Sequence, residues 1–219
     1  MQTEDYYIYN KEKSEERISP ASTYKIYSSL FALEEGLITP ESSTHQCDGS
    51  EQPFPEWMHD QTLTSAMQDS VNWYFQNLDR QMGLPALASY YSRIGYGNCD
   101  LSGGAGNYWS NSLAISPLEQ VRLLSGLLSN TWDFASENIR AVKDAMLLSE
   151  HSVSGGRLYG KTGTSNPDGG TQSGWFVGFL ETGETTYCFA VNLQGEGCDG
   201  STAADVALQS LTTILSRTE

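Results

Sequence analysis

Positive charge is scarce in this sequence. Its 219 residues carry 12 Lys and Arg against 27 Asp and Glu, a formal net charge of −15. A chain this acidic repels phosphate backbones and anionic membrane surfaces, which argues against nucleic acid as a partner. An anionic ligand would need a local cationic pocket to overcome the global field. Long apolar runs are also missing. Nothing approaches the roughly 18 consecutive apolar residues of a membrane span. The opening MQTEDYYIYN is acidic and tyrosine-rich, unlike a secretory signal. Cysteine is sparse. Cys47, Cys99, Cys188 and Cys198 follow no CxxC or metal spacing. Cys188 and Cys198 flank a glycine-rich turn and are close enough in sequence to bridge. His45, His59 and His151 are scattered, with no HExxH motif, so no metal is expected. Neither an internal repeat nor a low-complexity linker is present.

What is there reads as alternating signals. DYYIY, from Asp5, has the composition of a strand. A helix is expected from about Ser19 to Glu35, with Ser19 as cap and Pro20 in the first turn. A loop rich in Ser, Thr, Pro and Gly follows, from about Ile38 to Asp60. TLTSAMQDSVNWYFQNLDRQMG is helical, with a break expected around Ser70 to Asn72, and LPALASYYSRI is a further helix. GYGNCDLSGGAGNYW is a loop. SPLEQVRLLSGLLSN carries a capping box, with Ser116 as cap, Pro117 at the first position and Glu119 completing it. SENIRAVKDAMLL repeats that pattern. RLYGKTGTS and SGWFVGFLETGETTYCFAVNLQ read as strands, the latter a pair joined around Thr182 to Glu184. STAADVALQSLTTILSR closes the chain as a helix whose apolar stripe suits a sheet face. The order implies an α+β fold in one domain spanning residues 1–219. An antiparallel sheet drawn from both termini (about 1–40 and 150–219) would pack against an all-helical lobe (about 41–149), with the site in the cleft between them.

One stretch calls for more than structure. SPASTYKIYSSL puts Ser22 and Lys25 three residues apart, on one face of a helix N-terminus. The backbone N–H groups there disfavour an ammonium, so Lys25 should lose its proton more easily than a surface lysine. A hydroxyl beside a deprotonatable amine is an activated nucleophile. Taken alone, the pair reads more readily as a cap-region serine and a solvated lysine, because both residue types are common.

Two further motifs decide between these readings. SVN at Ser70 to Asn72 and KTGT at Lys161 to Thr164 follow in order. Ser-x-x-Lys, Ser-x-Asn and Lys-Thr-Gly together resemble the penicillin-recognising serine superfamily of penicillin-binding proteins and serine β-lactamases. YGN at Tyr96 to Asn98, PASTYKI, GWFVGF and the run YGNCDLSGGAGNYWSNSLAISPLEQV are similar to class D β-lactamases. DSVNWYFQ resembles the extracellular penicillin-sensing domains of BlaR/MecR-type signal transducers in Gram-positive bacteria. The resemblance implies β-lactam antibiotics as ligands. Ser22 would be the nucleophile and Lys25 its base. Ser70 would relay a proton to the leaving nitrogen, with Lys161 supplying positive charge. The N–H groups of Ser22 and Thr164 would form the oxyanion hole. Asn72, Tyr96, Trp109, Thr162, Gly163 and Thr164 would contact the ligand or line its pocket. It also implies a CO2-derived carbamate on Lys25 as an optional modification, with Trp109 donating to it or, on the plainer reading, serving as a core indole.

Sensor and hydrolase share the acylation of Ser22 and differ in whether water then cleaves the ester. Class D enzymes use the carbamylated lysine as base and usually have valine where this chain has Asn72. An amide there can hold Lys25 uncarbamylated, which favours a long-lived adduct. The class D arginine that grips the ligand carboxylate has no counterpart after AVNLQGEGCDG. Both departures favour a sensor over a class D hydrolase, with a D-Ala-D-Ala peptidase as the further alternative. The family usually has a helix and a strand before DYYIY, so N-terminal truncation and an open sheet edge are expected. Membrane attachment would come only through flanking segments of a full-length transducer.

Overall fold

The computed structural model describes residues 5–148, 153, 155–166, 171–183 and 185–216. In chain order these form α1 (Lys11–Glu15), a 3-10 turn (Ala21–Tyr24) running into α2 (Lys25–Glu34), a 3-10 turn (Pro55–Trp57), α3 (Leu63–Gln68), α4 (Asn72–Ile94), α5 (Tyr108–Asn111), α6 (Pro117–Leu128), α7 (Ser136–Ala145), β1 (Arg157–Ser165), β2 (Ser173–Thr182), β3 (Thr185–Gln194) and α8 (Gly200–Leu215).

The sheet is antiparallel in the order β1-β2-β3. Lys161 pairs with Val177 across β1 and β2, and Val177 with Ala190 across β2 and β3. Because side chains alternate along a strand, β2 buries apolar groups on both faces. Phe176 and Leu180 pack with Ala203, Ala207, Leu211 and Leu215 of α8. Trp175, Val177 and Phe179 join the large core shared with the helices. The central strand is therefore an apolar run rather than an alternation, as a strand covered on both sides should be.

The α+β architecture holds, but the expected sheet contribution of the N-terminus does not. Residues 5–8 form no strand, and Tyr7 and Tyr9 are 71% and 97% exposed. Strand propensity without a partner edge or a buried face gives no strand. Among the described residues the sheet comes from 157–194 alone, and α2 is a core helix packed on α4 and α7. His151 and Glu184 lie outside the described residues. Cys47, Cys99, Cys188 and Cys198 are all free thiols, so Cys188 and Cys198 do not bridge.

The break at Ser70 is real: Ser70 has φ +56° and separates α3 from α4. A second kink inside α4 falls at Gly83, whose φ of +75° a side chain would resist. The capping box of α6 forms as expected. Ser116 Oγ accepts from the Glu119 N–H at 3.3 Å, and the Ser116 N–H donates to Glu119 Oε2 at 2.9 Å. Helix α7 departs from that pattern: its cap is Ala135, with Ser136 already inside the helix, and Glu34 of α2 accepts from the Ala135 N–H at 3.0 Å. A neighbouring carboxylate thus takes the place of a local cap. Since α6 packs on β2 and β3, Ser116→Ala should lower global stability by about 1 kcal/mol, read as a shift in the urea midpoint with unchanged slope.

Candidate active site

The segment before α2 is pinned from three sides. Ile18 pairs with Ile115 in an isolated bridge. The Ser19 hydroxyl donates to Trp109 O at 2.8 Å, and the Trp175 indole of β2 donates to Ser19 O at 2.9 Å. The Thr23 hydroxyl donates to Pro20 O at 2.7 Å and accepts from Gln120 of α6 at 2.8 Å. These ties hold Ala21 at φ +47°, a conformation disfavoured for a residue with a side chain. Ser22 therefore sits on a 3-10 turn at the head of α2, with Ser70, also left-handed, opposite. Two non-glycine residues in that region beside a nucleophile fit backbone strain held by surrounding structure.

Lys25 lies between them, fully buried. Its Nζ is 3.0 Å from Ser22 Oγ, 2.9 Å from Ser70 Oγ, 2.7 Å from Ser70 O and 2.6 Å from Asn72 Oδ1. Burial holds the amine well below the ordinary lysine value, and the charge of Lys161 pushes it further down. Ser70 O and Asn72 Oδ1 can only accept. A neutral amine gives its two hydrogens to those two oxygens, and its lone pair then faces the hydroxyls of Ser22 and Ser70. That is the arrangement of a base poised to take the Ser22 proton.

Lys161, on β1, is buried beside this group and donates to Thr162 O at 3.1 Å. The cleft above has a volume of about 550 Å3. Ser22, Ser70, Asn72, Thr162, Gly163 and Thr164 line it. Gly163 suits a close approach: a Cβ there would come within 3.2 Å of Pro20 O and of Ser22 N, tighter than ordinary contact. Thr164 Oγ1 accepts from the Gly200 N–H at 2.9 Å, which leaves its own hydrogen to donate. The opposite wall went unread in the sequence. Phe54 and Trp57 stand at 5.2 Å in an edge-on pair, with Glu56 and Asp69 beside them. The Trp57 indole donates to Asp69 O at 2.9 Å, tying this wall to the Ser70 turn. Aromatic residues in a Pro-rich loop were the available signal.

Two expected contacts are corrected. Tyr96 does not reach the cleft; its ring is buried against Tyr27 and Tyr91, at 5.5 and 5.1 Å. Next to it, the backbone at Gly97 passes so close to Ala114 O that a side chain there would clash. Trp109 is stacked on Tyr24 at 5.2 Å, and its indole donates to Gly106 O at 3.1 Å rather than toward Lys25. Around the free amine, Ser70 O and Asn72 Oδ1 present lone pairs to the Lys25 nitrogen, and the Trp109 N–H is engaged by Gly106 O.

A cleft at a sheet edge, with a serine, a buried lysine and a Lys-Thr-Gly strand, defines a penicillin-binding fold. Residues 2–212 match the penicillin binding protein transpeptidase domain family, and the chain belongs to it. It is 49% identical over 208 residues to the regulatory protein BlaR1 of Bacillus licheniformis, covering 94% of this chain and 34% of that protein. It is 41% identical over 192 residues to the methicillin resistance mecR1 protein of Staphylococcus aureus, covering 87% of this chain and 32% of that protein. The chain thus spans about a third of the length of these curated relatives. The solved C-terminal domain of the Bacillus licheniformis BlaR penicillin-receptor superposes with a TM-score of 0.89 at 47% identity, covering 94% of this chain and 83% of that one. A probable beta-lactamase, YbxI of Bacillus subtilis, is 36% identical over 90% of this chain and 73% of that protein.

Burial also lowers Lys161, from the ordinary 10.5 to about 7. Between those values the unfolded chain binds the proton and the folded chain does not, so stability rises with pH across that window; the burial penalty is fully present below it and gone above it. Relative to Lys161→Met, the wild type should gain up to about 1.4 kcal/mol per pH unit there, measured by urea unfolding at several pH values.

Proposed function

We propose that this domain is a β-lactam sensor, acylated at Ser22 by penicillins and cephalosporins to give a long-lived adduct. The observation that carries this is the environment of Lys25, a buried amine whose nearest acceptors suit a free base. Lys25 takes the proton of Ser22. Oγ then bonds to the lactam carbonyl carbon, with the developing oxyanion facing the N–H groups of Ser22 and Thr164. The carbonyl–nitrogen bond breaks, and Ser70 passes a proton from Lys25 to the leaving nitrogen. Lys161, Thr162 and Thr164 attract the ligand carboxylate. Deacylation needs a base for water, and the acceptors around Lys25 work against the carbamate that would supply one. The similarity to BlaR1 and mecR1 proteins supports a receptor role. The limited share of their length that this chain covers supports its being one part of a longer transducer. In that reading the domain stands on the extracellular face of the cytoplasmic membrane of a Gram-positive bacterium, attached through flanking segments. Among the described residues no helix is long and apolar enough to cross a membrane.

Intact-mass spectrometry with benzylpenicillin should show one whole-molecule addition per chain, lost in Ser22→Ala. Lys25→Ala should slow acylation by about 100-fold or more at neutral pH. Wild-type acylation should fall on acidification as Lys25 takes up its proton, and Lys25→Ala should lack that limb. No adduct on folded protein would sink the reading, and rapid multiple turnover would make the domain a class D β-lactamase.

Asn72→Val removes a hydrogen bond from the neutral Lys25 amine worth roughly 0.5–1.5 kcal/mol. Carbamate occupancy should therefore rise by about two- to tenfold. Penicilloate release should become bicarbonate-dependent, followed with and without added bicarbonate. An adduct equally stable in both proteins would remove Asn72 as the cause.

A further inference from the structure

Acylation accounts for the β1 side of the cleft and leaves the aromatic wall without a task. That wall is fixed in place. The Trp57 indole donates to Asp69 O at 2.9 Å, and Trp57 O accepts from the Trp73 indole at 2.9 Å. Glu56 O accepts from the side chain of the fully buried Gln61 at 2.8 Å. Phe54 packs edge-on against Trp57 and is 53% exposed. Glu56 and Asp69 thus flank Trp57, one as its chain neighbour and the other through the indole bond. Both acids are exposed and line the cleft. None of the ion pairs among the described residues includes either of them. Two unpaired carboxylates therefore stand beside an open aromatic ring, on rigid backbone, facing a cleft whose other side carries Lys161.

We propose that Glu56 and Asp69 are specificity residues that favour β-lactams whose side chain carries an ammonium next to an aryl ring, the aminobenzyl type. This inference rests on Ser22 being the acylation site. In a penicillin the ring carboxylate and the acylamino side chain leave the bicyclic nucleus at opposite ends. With the carboxylate drawn to Lys161, Thr162 and Thr164, the side chain reaches across the cleft toward Phe54 and Trp57. Its aryl ring covers the exposed ring of Phe54. An ammonium on the adjoining carbon then meets the carboxylates of Glu56 and Asp69 and the aromatic faces between them. An uncharged side chain gains the aryl contact alone. A side chain with its own carboxylate meets like charge.

The formal net charge of −15 attracts cations to the whole surface, but that general field is screened beyond about 10 Å at 0.1 M salt. What separates the wall from the rest of the acidic surface is that its carboxylates stand next to the ring that seats the ligand. A single exposed ion pair is weak. Two carboxylates and an aromatic face acting on one ammonium add up to a modest preference, and they reverse sign for an anionic side chain.

The test uses benzylpenicillin, its α-amino derivative and its α-carboxy derivative, which differ only in the charge beside the ring. Acylation rates are followed by intact mass at pH about 6.5, where the amine is protonated and the carboxylates are ionised. Each rate is taken as a ratio to benzylpenicillin in the same protein, so the protonation of Lys25 cancels. The α-amino ratio should be about three- to tenfold higher in wild type than in the double variant Glu56→Gln, Asp69→Asn. The α-carboxy ratio should shift the opposite way, and each single variant should show part of both shifts. Salt at about 0.5 M should narrow the difference. Thermal unfolding checks that the variants are folded. A merely structural wall would change all three rates together and leave the ratios unmoved, which would overturn the proposal while the acylation reading stands. No adduct at Ser22 with any of the three would remove both.

Discussion

The site is organised around one buried amine. Lys25 has no access to water, so its nitrogen must find every partner within the protein. Those partners come from three places: the turn before α2, the left-handed Ser70 and the first residue of α4. Each must be held against its own preference. Ser70 needs the break between α3 and α4, and Asn72 needs α4 to start where it does. Ser22 needs the 3-10 turn that the indole of Trp175 and the amide of Gln120 hold in place. A shift in any of these strands a polar group in the core, at a cost of order 1–3 kcal/mol.

The fold serves that constraint by covering α2 completely. Helices α4 and α7 pack against it, and the sheet edge at β1 closes over its head. Gly163 lets that edge approach within contact distance of Ser22, which places Lys161 beside Lys25. Burial holds both amines below their ordinary values, and the charge of Lys161 lowers Lys25 further. The pair stores a proton-accepting capacity that a solvated lysine lacks at neutral pH.

The same pocket bears on how an acyl adduct at Ser22 would fare under the proposed function. Oxygen lone pairs crowd the Lys25 nitrogen, and Trp109 spends its N–H on Gly106 while its ring stacks on Tyr24. In the proposed reading, such a site would favour removing one proton from Ser22 over holding an additional anion. Receptor and hydrolase chemistry can therefore diverge on one scaffold through the donors and acceptors around one side chain.

Much of this was legible in the sequence because it is local. The capping box at Ser116 and Glu119, the break before Asn72 and the strand pair after Ser173 are set by neighbours a few residues apart. The motifs of Ser22, Lys25, Ser70 and Lys161 were readable for the same reason, each being a short pattern with its own chemistry. Asp79 was half legible: with Tyr74, Phe75 and Leu78 it falls on the buried face of α4, but the hydroxyls it accepts from, on Ser28 and Tyr108, are 51 and 29 residues away. What tertiary structure alone decided was direction. DYYIY has strand composition yet lies exposed, because a strand exists only against a partner edge. Tyr96 and Trp109 sit in a stretch resembling an active-site loop, yet the first ring turns into the core and the second stacks on Tyr24. Sequence spacing determines which residues share a turn or a face. Where that face points depends on packing between segments far apart in the chain, and only the assembled core supplies it.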